Sequence, residues 1–278
     1  MQLVDTHQHL WDLTRFPCSW TAGVPALHRS FLLEDYAAAT AGLGIAKTVF
    51  VECDVDEPHQ LAEARHLQTL ADQHPLIAGI VASGRPERDG FRAHLEELAS
   101  LPKVRGVRRV LHTQPDALPA EPRFAENLRL LPEFGFTFDL CVLPRQLPAG
   151  IDLVRRCPQV AFILDHCGVP DVKGRALDPW REHLRALAAL PNVACKLSGL
   201  IAYADPARWT VDDLRPWVEH VLACFGWDRV VWGGDWPVCT LAAPLARWVE
   251  ATRLLTRGAT AVQRAQLFHR NAERIYRV

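Results

Sequence analysis

Two histidines one residue apart are the first residues in this chain whose types and spacing suggest chemistry. They lie in the run Val4-Asp5-Thr6-His7-Gln8-His9-Leu10-Trp11. On a strand, side chains at i and i+2 share a face, so Asp5, His7 and His9 are expected to point the same way. Two imidazoles on one face can hold a divalent cation, because each presents a neutral nitrogen roughly 2 Å from a common point. The alternative is a packing or solvated pair, since the chain carries 12 His in 278 residues. The other reactive types follow at wide intervals: Glu52, Arg108 with His112, Asp139, His166, Lys196 with Ser198, and Asp235. His166 and Asp235 each stand just past the end of an apolar run, after Asp165 and after Gly233-Gly234, where a titratable group needs a function or a neighbour of opposite charge.

For residues so far apart in sequence to meet, the intervening chain must bring them together. Short apolar runs alternate with amphipathic ones from end to end. Strands are expected at residues 3–9, 47–52, 76–82, 104–111, 136–142, 160–165, 193–197 and 229–232. Helices are expected near residues 33–41, 58–73, 91–99, 122–134, 148–156, 179–189, 211–225 and 243–255, with an extra one at 261–276. Strands apolar at nearly every position belong to a parallel sheet covered on both faces. Eight strand-helix units predict an α/β fold, a single (β/α)8 TIM barrel with an extra C-terminal helix, over residues 1–278 as one domain. An open doubly wound sheet would call for a glycine-rich nucleotide loop, and the chain has no G-x-G-x-x-G and no G-x-x-x-x-G-K-[ST].

In such barrels the chemistry lies at the C-terminal ends of the strands, which is where the residues named above fall. Parity places Arg108 and His112 on one face and pairs Lys196 with Ser198, opposite the apolar Val193, Cys195 and Leu197. Each has a structural alternative. Glu52 can cap the following loop, and Arg108 can form an ion pair with Asp139 or Asp235. Lys196 can pair with a carboxylate inside the barrel rather than with substrate. His112 can lie past its strand, bonded to a loop. Arg105 and Arg109 read as outer-layer residues.

Composition excludes several classes. Hydrophobic residues make up 49% and charged ones 23%, as in a water-soluble protein with a full core, and no apolar run reaches the roughly 18 residues that span a bilayer. A net charge of -1, from 31 Lys+Arg against 32 Asp+Glu, offers no basic field for nucleic acid. A small-molecule partner is expected, with neither nucleic acid nor membrane, and self-association into a homo-oligomer stays open. The eight cysteines are dispersed without C-x-x-C, as reduced core residues would be. With no basic, apolar leader at the start, the expected location is the cytoplasm.

Five motifs then resemble one family in its own order: Asp5-Thr6-His7-Gln8-His9-Leu10-Trp11-Asp12, Gly106-Val107-Arg108, Asp165-His166-Cys167-Gly168-Val169-Pro170, Lys196-Leu197-Ser198-Gly199 and Gly234-Asp235-Trp236-Pro237. Together they resemble the amidohydrolase superfamily, in its branch of sugar-lactone hydrolases such as L-fuconolactonase and L-rhamnonolactonase, which also holds 2-pyrone-4,6-dicarboxylate lactonase. The resemblance implies hydrolysis of a sugar lactone, with Asp235 as general base and His7, His9 and His166 as its catalytic companions. It implies substrate contacts from Arg108, Lys196, His112, Trp11 and Trp236, the tryptophans serving either as flat faces for a sugar ring or as core. The strand-four lysine and strand-five histidine of two-metal members are missing here. The implied cofactor is one zinc-like divalent ion on His7, His9 and Asp235, with Glu52 assisting, and metal-free activity stays open. Alternatives are a pyrone-dicarboxylate-type lactonase, a metal-dependent decarboxylase of the same fold, and a catalytically dead barrel acting as a binding subunit.

Overall fold

β-branched and apolar runs pair laterally into one parallel sheet in the computed structural model, which describes residues 2–278. The strands are β1 (Leu3–Gln8), β2 (Ile45–Val51), β3 (Ile77–Ser83), β4 (Val104–Val110), β5 (Thr137–Cys141), β6 (Phe162–Leu164), β7 (Val193–Leu197) and β8 (Val230–Trp232). They are ordered by sequence around the sheet, every neighbouring pair parallel. The ring closes at its C-terminal mouth. There the Thr6 hydroxyl donates to the Trp232 carbonyl at 2.7 Å, Asp235 N–H to the His7 carbonyl at 2.7 Å, and His9 N–H to the Trp236 carbonyl at 2.8 Å. Closure depends on a glycine, because a Cβ at Gly233 would stand 2.8 Å from the His7 Cβ. The fold is the expected (β/α)8 barrel.

Helices α1 (Leu33–Thr40), α2 (Gln60–Gln73) and α3 (Phe91–Ala99) follow the first three strands. After β4 the expected single helix breaks into α4 (Pro122–Leu128) and α5 (Leu131–Phe134). Pro132 explains the break, since it lacks an N–H and its ring clashes with the preceding turn. Next come α6 (Leu147–Arg156), α7 (Trp180–Ala188), α8 (Val211–Phe225) and α9 (Leu245–Leu255). The extra C-terminal helix is present as α10 (Ala261–Ala265) and α11 (Asn271–Tyr276), joined by a wider π turn at Gln266–Arg270. None of the described helices is long and apolar enough to cross a membrane.

Two apolar layers result. The larger lies between strands and helices and includes Leu140, Leu147, Leu184, Trp217 and Trp248. Full burial of each such side chain contributes about 2 kcal/mol. The smaller fills the ring itself with Val4, Val49, Val51, Val81, Ile163 and Val231, and Tyr276 of α11 packs into it from below. With the lower half filled by hydrocarbon, the charged residues are confined to the upper half.

Candidate active site

His7 and His9 both reach the mouth, but Asp5 does not join them. The β1–β2 register shifts between Asp5 and Gln8, and that irregularity breaks simple alternation. Asp5 instead accepts backbone N–H bonds from His7 at 3.0 Å and Gly234 at 2.7 Å, and a hydroxyl bond from Tyr36 of α1 at 2.9 Å. Burial raises its pKa to about 6. It fastens β1 to the segment after β8.

At the mouth the Nε2 atoms of three histidines converge on one carboxylate. Asp235 Oδ1 lies 3.8 Å from His7, 3.8 Å from His9 and 4.0 Å from His166. Each ring is held by its other nitrogen. His9 Nδ1 meets the Val51 carbonyl at 2.8 Å, His166 Nδ1 the Ser198 hydroxyl at 2.9 Å, and His7 Nδ1 faces Lys196 Nζ at 3.1 Å. The Val51 carbonyl and the Ser198 hydroxyl fix the orientation of their rings and leave Nε2 of His9 and His166 for the site, whereas at His7 the lysine can only donate and Asp165 Oδ1, at 3.5 Å, is the acceptor facing Nδ1. His166 and Asp235 occupy left-handed backbone, with φ of 50° and 56°, a conformation costly for residues other than glycine. Gly199 allows the close approach, since a Cβ there would meet His166 Nδ1 at 2.6 Å. Burial keeps all three imidazoles neutral, lowering His7 and His9 well below the usual range and His166 to about 3. Burial also pushes Asp235 well above the carboxylate range, with Arg108 partly opposing it.

Beneath this layer lies a dry charge cluster. Lys196 Nζ donates to Asp139 Oδ2 at 2.6 Å and lies 2.9 Å from Asp165 Oδ1, all three fully buried. Burial alone would lower the lysine pKa; the Asp139 and Asp165 charges outweigh it and raise it well above normal. Arg108 donates through Nε to Glu52 Oε1 at 2.7 Å and lies 3.5 Å from Asp165 Oδ2. Its Nη1 sits 3.3 Å from His7 Nε2. Tyr276 donates from below to Asp139 Oδ2 at 3.1 Å.

Above the histidines opens a cavity of about 240 Å³. Asp235, His9 and His166 line it together with Arg108, His112 and Tyr203. Trp11, Trp20 and Asp54 contribute to its outer wall.

A family profile described as Amidohydrolase matches residues 4–278. The chain belongs to the amidohydrolase family. It is 32% identical over 285 residues to an L-fucono-1,5-lactonase of Burkholderia ambifaria, covering 99% of this chain and 95% of that one. An L-fucono-1,5-lactonase of Burkholderia multivorans is 31% identical over 292 residues, covering 98% and 95%. A crystal structure of a Burkholderia multivorans amidohydrolase with bound zinc superposes with a TM-score of 0.90 at 28% identity, covering 100% of both chains.

Against this amidohydrolase frame, several expected site residues change place. Among the described residues, the group whose geometry could hold a metal ion is His7, His166 and Asp235, whose ligand atoms lie within 4.8 Å of one another, so that His166 stands where the sequence suggested His9. Neutral, pre-oriented imidazoles beside a carboxylate suit a zinc-like ion. Glu52 is not part of that group: its Oε1 is engaged by Arg108 and its Oε2 accepts from Asp54 N–H at 2.7 Å. Lys196 does not line the cavity, because Asp139 and Asp165 hold it below. Trp236 is core, 3% exposed, with ring centroids 5.6 Å from Phe31 and 5.3 Å from Tyr36. Trp11 does line the cavity, as does His112, whose Nε2 lies 3.4 Å from Cys141 Sγ and which burial lowers to about 4.

Sequence reasoning assigned no site role to Asp165, Tyr203, Asp54 or Tyr276. Asp165 directly precedes His166 at a strand end, the same signal that marked its neighbour. Tyr203 and Asp54 come from loops, where periodicity says nothing about orientation.

Proposed function

We propose that this chain hydrolyses a neutral sugar-acid lactone of the L-fucono-lactone type to its aldonate. The observation that carries the reading is Asp235 Oδ1 within 4.0 Å of three neutral histidine nitrogens at the floor of the cavity. The names of the Burkholderia relatives supply the substrate class. A lactone is a cyclic ester, so opening it takes an activated water, stabilisation of the tetrahedral oxyanion and a proton for the ring oxygen. Asp235 takes the water proton and returns it to the departing alkoxide. Its burial raises its pKa and so its strength as a base.

His9 and His166, with the Arg108 guanidinium beside them, form the wall against which negative charge develops. Tyr203 lines the same wall, and its hydroxyl has no partner among the described residues, leaving it available to a substrate oxygen. His7, His166 and Asp235 would hold a zinc-like divalent ion, whose chemistry at this place is to polarise a carbonyl oxygen and lower the pKa of water. The cavity volume of about 240 Å³ lies below the roughly 300 Å³ at which pockets for drug-sized ligands begin, so it suits one sugar ring.

Charge favours a neutral substrate over a pyrone dicarboxylate or a carboxylate that is to be lost as carbon dioxide. Arg108 is the sole lysine or arginine lining this cavity among the described residues. Glu52 at 2.7 Å already neutralises it. A pH-indicator assay over aldonolactones tests the reading. Asp235→Asn should lower kcat by about a thousandfold or more, and a loss under about tenfold would remove Asp235 from the base role. Turnover of arylcarboxylates to carbon dioxide without any lactone opening would replace the reading with a decarboxylase.

A further inference from the structure

Among the described residues, Asp54 is the one carboxylate lining the cavity besides Asp235, and the reaction above does not use it. Resting on the lactonase reading, we propose that Asp54 is the specificity residue that pairs with substrate hydroxyls and selects polyhydroxylated lactones over bare or carboxylated ones. The side chain is rigidly mounted. Its Oδ1 accepts from Arg85 Nη2 at 3.2 Å, and Arg85 is braced by the Ser83 hydroxyl at 3.0 Å and the Gly84 carbonyl at 3.2 Å. From the other side, Asp54 N–H donates to Glu52 Oε2. Oδ2 has no protein partner among the described residues, and the side chain is 27% exposed.

The backbone supports a functional reading. Asp54 sits at φ 50°, in left-handed space that glycine fills without strain. A carboxylate held there at a conformational cost points to a role for the side chain. The chemistry of that role follows from the group. An ionised carboxylate only accepts hydrogen bonds, so it requires donors from its ligand. A hydroxyl supplies one. An alkyl edge would cover Oδ2 without pairing it, and a carboxylate would set like charges together, both of which raise the free energy of the complex. Sites built around a polar group discriminate strongly against analogues lacking its partner.

The test compares three substrates on the full chain: a polyhydroxylated δ-lactone, unsubstituted δ-valerolactone and a carboxylate-bearing lactone. Asp54→Asn should lower kcat/KM on the polyhydroxylated lactone by about 10- to 100-fold, chiefly through KM. It should leave δ-valerolactone within about twofold and raise turnover of the carboxylated lactone. Asp54→Gly removes the carboxylate while relieving the backbone, so it folds without the strained residue and should show the same substrate-dependent loss. Equal losses on the polyhydroxylated lactone and δ-valerolactone would overturn the inference, assigning Asp54 to support of Glu52 and Arg108 instead. No loss on the polyhydroxylated lactone would overturn it as well. In both cases wild-type lactone opening would leave the lactonase reading standing, whereas a wild-type chain inert on every lactone would remove the two together.

Discussion

Replacing Lys196 with methionine separates a structural cation from a substrate-binding one. Lys196 stands 2.6 Å from Asp139 Oδ2 and 2.9 Å from Asp165 Oδ1, with no solvent exposure on any of the three. At an effective dielectric near 20, charge pairs at such separations attract by roughly 6 kcal/mol each. Methionine forfeits both attractions and leaves two carboxylates facing a dry interior. Part of the loss is recoverable, because Asp139 is already lifted to about 6 by burial and can take up a proton. Discharging it costs about 1.4 kcal/mol for each unit between its pKa and the solution pH. The net destabilisation should be about 3–5 kcal/mol, as for other buried ion pairs stripped of one partner. A loss of that size lowers Tm by roughly 10 °C in a chain of this length.

The deficit should depend on pH. A carboxyl raised from 3.8 to about 6 binds more protons in the native than in the unfolded state across that window, so its contribution weakens as pH rises through it. Without Lys196 the native pKa climbs further and the window extends upward. Urea unfolding at about pH 5.5 and about pH 8 should therefore show the smaller deficit at the lower pH. Adding Asp139→Asn to Lys196→Met should return a large part of the loss, since the two sites are coupled. KM of the folded Lys196→Met enzyme should stay near wild type. A loss below about 1 kcal/mol, the same at both pH values, would refute the account of Lys196 as the counter-ion of this cluster.

Ser198→Ala should cost about tenfold or more in kcat/KM with little change in stability, because the hydroxyl at 2.9 Å from His166 Nδ1 orients that ring; an unchanged pH–rate profile and rate would remove Ser198 from that role. Glu63 is buried beside Cys53, whose N–H it accepts at 3.1 Å, and burial raises its pKa from 4.5 to about 8. Since the native state keeps a proton there that the unfolded chain releases, wild-type stability should fall relative to Glu63→Gln as pH rises from 4.5 to 8. Denaturant midpoints taken across that range check it, and a constant difference between the two proteins would count against the raised pKa.

The barrel was legible from sequence because its signals are local. Val49, Val51, Ile163 and Val231 lie in short β-rich runs, the helices between them repeat at 3.6 residues, and eight such units in a row have few ways to pack. The reactive ends were legible for the same reason: His7, His166 and Asp235 each interrupt or terminate an apolar run. What only the tertiary structure decided is which of these groups touch. The register shift in β1 turned Asp5 toward Tyr36, and Glu52 rather than Asp139 or Asp235 became the partner of Arg108. Lys196 was withdrawn from the cavity by Asp139 and Asp165, and Tyr276, from the last turn of the chain, closed the cluster from beneath. Side-chain periodicity states a direction along one element, whereas an ion pair depends on the distance between two elements set by the shear and closure of the whole ring.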